Sequence, residues 1–249
     1  MKNQLHPTLW LGASLGLLAS GCTDQPTQAD YDDTAQAIGS LSASTTTGEL
    51  RAFASAQVLA RGGVPTGFAV DAAGHATGAD LGLSYRLTVE CRDSAGALQA
   101  TCGAATAAAS ADVAWSGSLA LPNLTAMAER TGHVALSGLG TDTATLDGSG
   151  ALTLDARMQS WLETRTTDLH FGLTSSYQAL RFSTSPVRLL SGTIRYTVDA
   201  ERTVTGRRAS DTAFSIDATL TVSETGASLV LDGAHRYDVD LASGRATRR

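Results

Sequence analysis

From Phe68 to the C-terminus, apolar residues recur at every second position, and that period limits what the chain can become. Val113, Trp115, Gly117, Leu119 and Leu121 alternate with Ala114, Ser116, Ser118 and Ala120. The same beat returns at Leu152 and Leu154; at Leu169, Phe171 and Leu173; and at Ile194, Tyr196 and Val198. It continues through Phe214, Ile216, Ala218, Leu220 and Val222, then Leu229 and Leu231, then Tyr237, Val239 and Leu241. Successive strand side chains point to opposite faces, so this alternation with Thr, Ser, Asp and Arg describes strands with one buried and one wet face. Glycine-bearing breaks such as Gly138-Leu139-Gly140, Asp147-Gly148-Ser149-Gly150 and Asp232-Gly233 separate them. Roughly ten or more short strands at this spacing point to an antiparallel meander. Two segments rich in helix formers, Asn123 to Thr131 and Ala156 to Leu162, read as loops or single turns, with Met158, Trp161 and Leu162 capping an open sheet end.

One apolar face per strand allows a curled sheet or half-barrel with helix packed on it, a two-sheet sandwich, or a closed barrel. A membrane-spanning barrel is disfavoured, because its aromatic girdles need more than the 5% Phe, Trp and Tyr present. The reading adopted is mainly β: a curled antiparallel meander with one or two short N-terminal helices, the sandwich being the alternative. Gly48 to Arg61 reads as a helix, with Leu50, Phe53, Ala54 and Val58 near one face and Gly62-Gly63 as its stop. Asp30 to Ala43 has the makings of a weaker one, with Asp30 as cap and Gly39 against it.

The first residues are of another kind. Lys2, an apolar stretch from Leu9 to Leu18 that includes Trp10, and the small residues after it have the three parts of a secretory leader. The run falls short of the roughly 20 residues a spanning helix needs. Leu18-Ala19-Ser20-Gly21-Cys22 resembles a bacterial lipobox, and the chain looks like a lipoprotein precursor. The resemblance implies cleavage before Cys22, a diacylglycerol thioether on its sulfur and acylation of the new amino group. Ala19 departs from the commoner Leu. Thr23, rather than Asp, at the following position resembles the pattern sent to the outer membrane. Each buried methylene contributes about 0.8 kcal/mol, so two or three acyl chains anchor a protein in effect permanently. The expected domains are a signal peptide at 1–21, a lipidated N-terminus and flexible tether at 22–47, and a single β-rich domain at 48–249.

Cleavage leaves 228 of the 249 residues. Of the 18 basic residues only Lys2 is a lysine and it leaves with the leader, so 17 arginines face 24 acids, a net charge of −7. That balance argues against nucleic acid and anionic lipid surfaces as partners. Without lysine the mature chain has no Schiff base, pyridoxal phosphate anchor or phosphate-loop lysine. Cys91 and Cys102 remain as an even pair in an oxidising compartment, the arithmetic of a disulfide. They flank Asp93-Ser94-Ala95-Gly96 as if in a hairpin, Tyr85 to Cys91 going out, Ala97 to Cys102 returning, and a type II′ turn centred on Gly96-Ala97.

No catalytic, cofactor-binding or metal-binding residue is assigned. The nucleophile-elbow pattern at Gly12 to Gly16 lies in the leader and is lost with it. His75, His133, His170 and His235 have ordinary surroundings; His170 shares the polar face of its strand with Asp168, which reads as a solvated network. Asp30, Asp32 and Asp33, and Asp238 with Asp240, lack the spacing of a calcium loop. Arg207-Arg208 and Arg248-Arg249 read as solubilising charge. The expectation is a lipid-anchored envelope protein, attached to the membrane through Cys22, with a non-enzymatic binding or structural domain. Alternatives are a carrier of a lipid or other apolar ligand, for which inner Ala and Gly would leave room and Trp115 and Phe214 would close it, and a hydrolase using His170 or His235.

Overall fold

The computed structural model describes residues 25–43, 49–71, 74–80, 82–160, 165–184, 187–206, 209–223 and 226–249. The leader and Cys22 lie outside the described residues, as do Trp161, Leu162, Arg207 and Arg208. Two helices, α1 (Gln28–Leu41) and α2 (Glu49–Ala60), precede twelve strands. These are β1 (Phe68–Val70), β2 (His75–Asp80), β3 (Leu83–Arg92), β4 (Ala108–Leu121), β5 (Leu124–Ser137), β6 (Thr143–Gln159), β7 (Arg165–Thr184), β8 (Val187–Gly206), β9 (Ser210–Ser223), β10 (Gly226–Leu231), β11 (His235–Asp240) and β12 (Arg245–Arg248). Each pairs antiparallel with the next in chain order, in one unclosed sheet running from β1 to β12. The curled meander with two helices is therefore the fold, and the sandwich is not: among the described residues no second sheet faces the first.

The alternation works as expected. On one face a row of paired residues runs Trp115, Arg130, Leu152, Leu173, Val198 and Ile216 across β4 to β9, all buried. What differs is reach. The central strands are long, 17 residues in β6 and 20 each in β7 and β8. Residues 124–131 and 156–159, expected as loops, are the outer ends of β5 and β6. Their Ala, Met, Glu and Arg are good helix formers, but propensity amounts to at most about 0.7 kcal/mol per residue, and each segment lies between partner strands whose ladders satisfy its backbone, so pairing overrides it.

Curvature follows from what α2 touches: β3 and β4 on one side, β8 on the other. Four strand spacings would separate β4 from β8 by about 19 Å if flat, more than the roughly 10–12 Å width of a helix. The sheet curls about the helix. Register shifts between Leu146 and Gly148 and between Gln178 and Arg181 add local twist where it turns, and Ala179, at positive φ, is held there by its N–H to Asp147 at 2.8 Å.

Being wrapped changes what α2 buries. Ala52, Phe53, Ala56, Leu59 and Ala60 are buried, whereas Ala54 and Val58 of the expected stripe are only half-buried. The expected stop holds: Gly62 at φ 79 donates to Leu59 O and Gly63 to Val58 O, a Schellman ending.

Residues 28–41, assigned to the tether by composition, form a helix that belongs to the domain. Its cap is Thr27, and Asp30 is the reciprocal partner three residues on. Ala35 and Ile38 are fully buried where α1 packs on β10, β11 and β12. Ser42 meets the Tyr196 hydroxyl of β8 at 3.1 Å. The tether reading fails because small residues pack closely without looking hydrophobic: a Cβ on Gly39 would lie 2.4 Å from Gly244 O.

Cys91 and Cys102 are joined, with Cα atoms 5.4 Å apart. Closing so short a loop contributes roughly 3 kcal/mol at most. The hairpin around them is not a strand pair. After β3 the chain turns through Asp93 to Gly96, Gly96 donating to Asp93 O and Asp93 to Ala97 O. Gly96 takes φ 82 at the end of this turn rather than at its first central position, as in a type I turn with a glycine bulge. Asp93 Oδ1 accepts from Ala95 and Ala97, each at 2.9 Å, which draws the turn forward. Only an isolated bridge from Arg92 to Leu98 follows.

Candidate functional site

The helices cover part of the concave face, and the rest is where the described structure departs from a filled core. α2 enters with Phe53 against Tyr177, rings 4.8 Å apart and edge to face. Its guest there is Arg130, fully buried, with the guanidinium carbon 5.7 Å from the Phe53 centroid and a hydrogen bond donated to the Tyr177 hydroxyl. Tyr177 also meets Ser175 Oγ at 2.5 Å. This polar group is closed off from solvent, with Ser175 and Tyr177 both buried; it ties β5 to β7 under the helix.

Beyond that level the inner face of β4 to β9 continues outward. The next row pairs Gly117, Ala128, Leu154, Phe171, Ala200 and Phe214; the one after it pairs Leu119, Ala126, Ala156, Leu169, Arg202 and Thr212. A last row holds Leu121, Leu124 and Met158. Leu119, Leu121 and Met158 are 47%, 51% and 51% exposed; Leu124, Leu154, Leu169, Phe171 and Phe214 are half-buried. The apolar stripe thus runs on past the helices as an open trough. A lane of small residues, Gly117, Ala126, Ala128 and Ala156, lies between the leucines of β4 and the larger Leu154, Leu169 and Phe171. Trp115, at the inner end, is buried with its indole N–H unpartnered among the described residues.

Charge is sorted between the two faces. Every described carboxylate on β4 to β9, from Asp112 to Asp217, has the phase of the outer face. Among the described residues the charges of the inner face are all cations: Arg130 at the covered end, Arg202 in the trough and Arg165 at its mouth. Sequence reading passes over Arg165 and Arg202, although the signal exists as phase, with Arg202 at an inner position between Ala200 and Val204.

The histidines lie elsewhere. His170 Nδ1 meets Asp155 Oδ1 of β6 at 2.7 Å, while Asp168 faces Arg157 at 3.6 Å. The Asp155 hydrogen bond raises the His170 pKa above its ordinary value. His133 and Asp112 form a similar exposed pair at 2.7 Å, and His75 bonds Asp71 at 3.0 Å. His235 stacks on Tyr31 of α1, centroids 3.7 Å apart. Among the described residues no serine or cysteine bonds any of these rings, and no group of three or more His, Cys, Asp or Glu is placed to hold a metal. A separate depression of about 590 Å³ crosses β2 to β5, edged by outer-face Thr77, Ser84, Arg86, Ser116, Glu129 and Thr131; it is shallow and open.

No protein-family model, no curated protein and no solved structure matches the chain.

Proposed function

We propose that this is a lipid-anchored envelope protein, held by acyl chains on Cys22, whose domain binds an apolar ligand in the trough of β4 to β9 and catalyses no reaction. The anchor rests on the Leu18-to-Cys22 sequence and its leader. The binding role rests on one observation: the inner apolar stripe extends past the helices and stays half-exposed, at Leu119, Leu121 and Met158 above all. Contiguous apolar surface left open on a concave wall is the usual form of a site for apolar ligands. The small inner residues keep that wall open, whereas Trp115 and Phe214, the residues expected to close it, sit at its inner end and its β9 side.

Two measurements test the two halves. In detergent-phase partitioning, the wild type is expected in the detergent phase and Cys22→Ala in the aqueous phase; equal partitioning removes the anchor. Native mass spectrometry of the mature chain carrying Cys22→Ala is expected to show a bound apolar ligand or uptake of a long-chain probe. A chain that takes up none ends the binding role.

A further inference from the structure

The trough's charge pattern identifies the ligand more closely, and this step rests on the binding role just proposed. A mature chain of net charge −7 would be expected to scatter acids over any open surface. On β4 to β9 the described acids are confined to the outer face, and the two exposed charges on the inner face, Arg165 and Arg202, are both positive. Among the described residues neither side chain has a hydrogen bond or ion pair. Arg202 pairs across the ladder with Leu169 on one side and Thr212 on the other, and Leu169 leads on to Ala156 and Ala126. Arg165 pairs with Gly206, nearer the mouth.

Each arginine therefore presents its donors beside an apolar wall with no described carboxylate bonded to them. Its planar fork of donors matches a carboxylate head in two parallel hydrogen bonds. The lane of Gly117, Ala126, Ala128 and Ala156 spans about two strand spacings, roughly 10 Å, which suits one hydrocarbon chain rather than two. We infer that the ligand is a long-chain carboxylate with a single acyl chain, its head at Arg202 with Arg165 behind it and its chain passing over Leu169 into the alanine lane.

The test uses the full mature chain carrying Cys22→Ala, so that no acyl group of its own competes, and three probes of equal chain length: a fatty acid, the matching alcohol and the matching alkyl trimethylammonium. The fatty acid is expected to bind about tenfold or more tighter than the alcohol, a factor worth about 1.4 kcal/mol, and the ammonium weakest. Arg202→Gln is expected to bring fatty acid and alcohol within about twofold of each other, chiefly by weakening the acid, with the urea midpoint unchanged because the side chain is exposed. Ala126→Trp, which fills the lane, is expected to abolish uptake of all three. Equal binding of acid and alcohol by the wild type overturns the carboxylate head while leaving the binding role intact; no uptake of any probe overturns that role itself. Undiminished uptake by a folded Ala126→Trp overturns the single-chain lane.

Discussion

Gly39 is a position where two local rules oppose each other. Helix propensity favours alanine there by about 1 kcal/mol, yet an added Cβ would meet Gly244 O at 2.4 Å, and backbone cannot swing aside as a flexible side chain would. Gly39→Ala is therefore expected to lower stability by about 1–2 kcal/mol in urea unfolding; a gain would show that α1 does not seat against the β11–β12 turn. Tyr237 carries a second prediction. Burial first, and the hydrogen bond to Asp32 at 2.6 Å next, move its pKa from 10.0 to about 12. A raised pKa means that folding favours the protonated phenol, so this stability is complete below pH 10.0 and drains away as pH rises towards about 12. Unfolding free energy measured across that window is expected to fall less steeply in Tyr237→Phe than in wild type. Parallel slopes would count against the Asp32 contact.

At the level of elements, α2 behaves as a core piece rather than a surface helix. Phe53 packs on both Tyr177 and Arg130, so Phe53→Ala is expected to cost about 3–5 kcal/mol, read from the urea midpoint. A cost below about 1 kcal/mol would mean that the sheet does not close on the helix. The sequence displays this helix because Gly62-Gly63 ends it unmistakably, but its buried face is legible only in part: amphipathic reasoning presumes one wet side, and a wrapped helix has little. Strand existence was readable wherever period two met a β-branched or aromatic residue. It was not readable at Ala126, Ala128 and Ala156, where alanine is ambiguous between helix and strand and only the neighbouring ladders decide.

For the molecule as a whole, the boundary of the folded unit lies before α1. A chain starting at residue 26 is expected to match the full mature protein in urea midpoint. One starting at residue 48 loses Ile38, worth about 1.5–3 kcal/mol by burial alone, uncovers Tyr237 and Val239, and is expected to unfold at distinctly lower urea and to bind dyes for exposed apolar surface. Equal midpoints would return residues 28–43 to the tether. The candidate site has the same character at this scale: its components are ordinary alanines, leucines and one arginine, and none is diagnostic alone. Six strands bring them onto one wall.

Local quantities were written in the order of residues: period two and hence strands, glycines at the turns, the spacing of Cys91 and Cys102, and the order of leader residues up to Cys22. Each depends on neighbours a few positions apart, through backbone geometry that every chain shares. It took packing in three dimensions to set the curl around α2, the seat of α1, the lengths of β6 to β8 and the stretch of inner face that neither described helix covers. Those depend on how far two helices reach across a sheet of twelve strands, a matter of packing between residues as distant as Gly39 and Gly244, which no local pattern encodes.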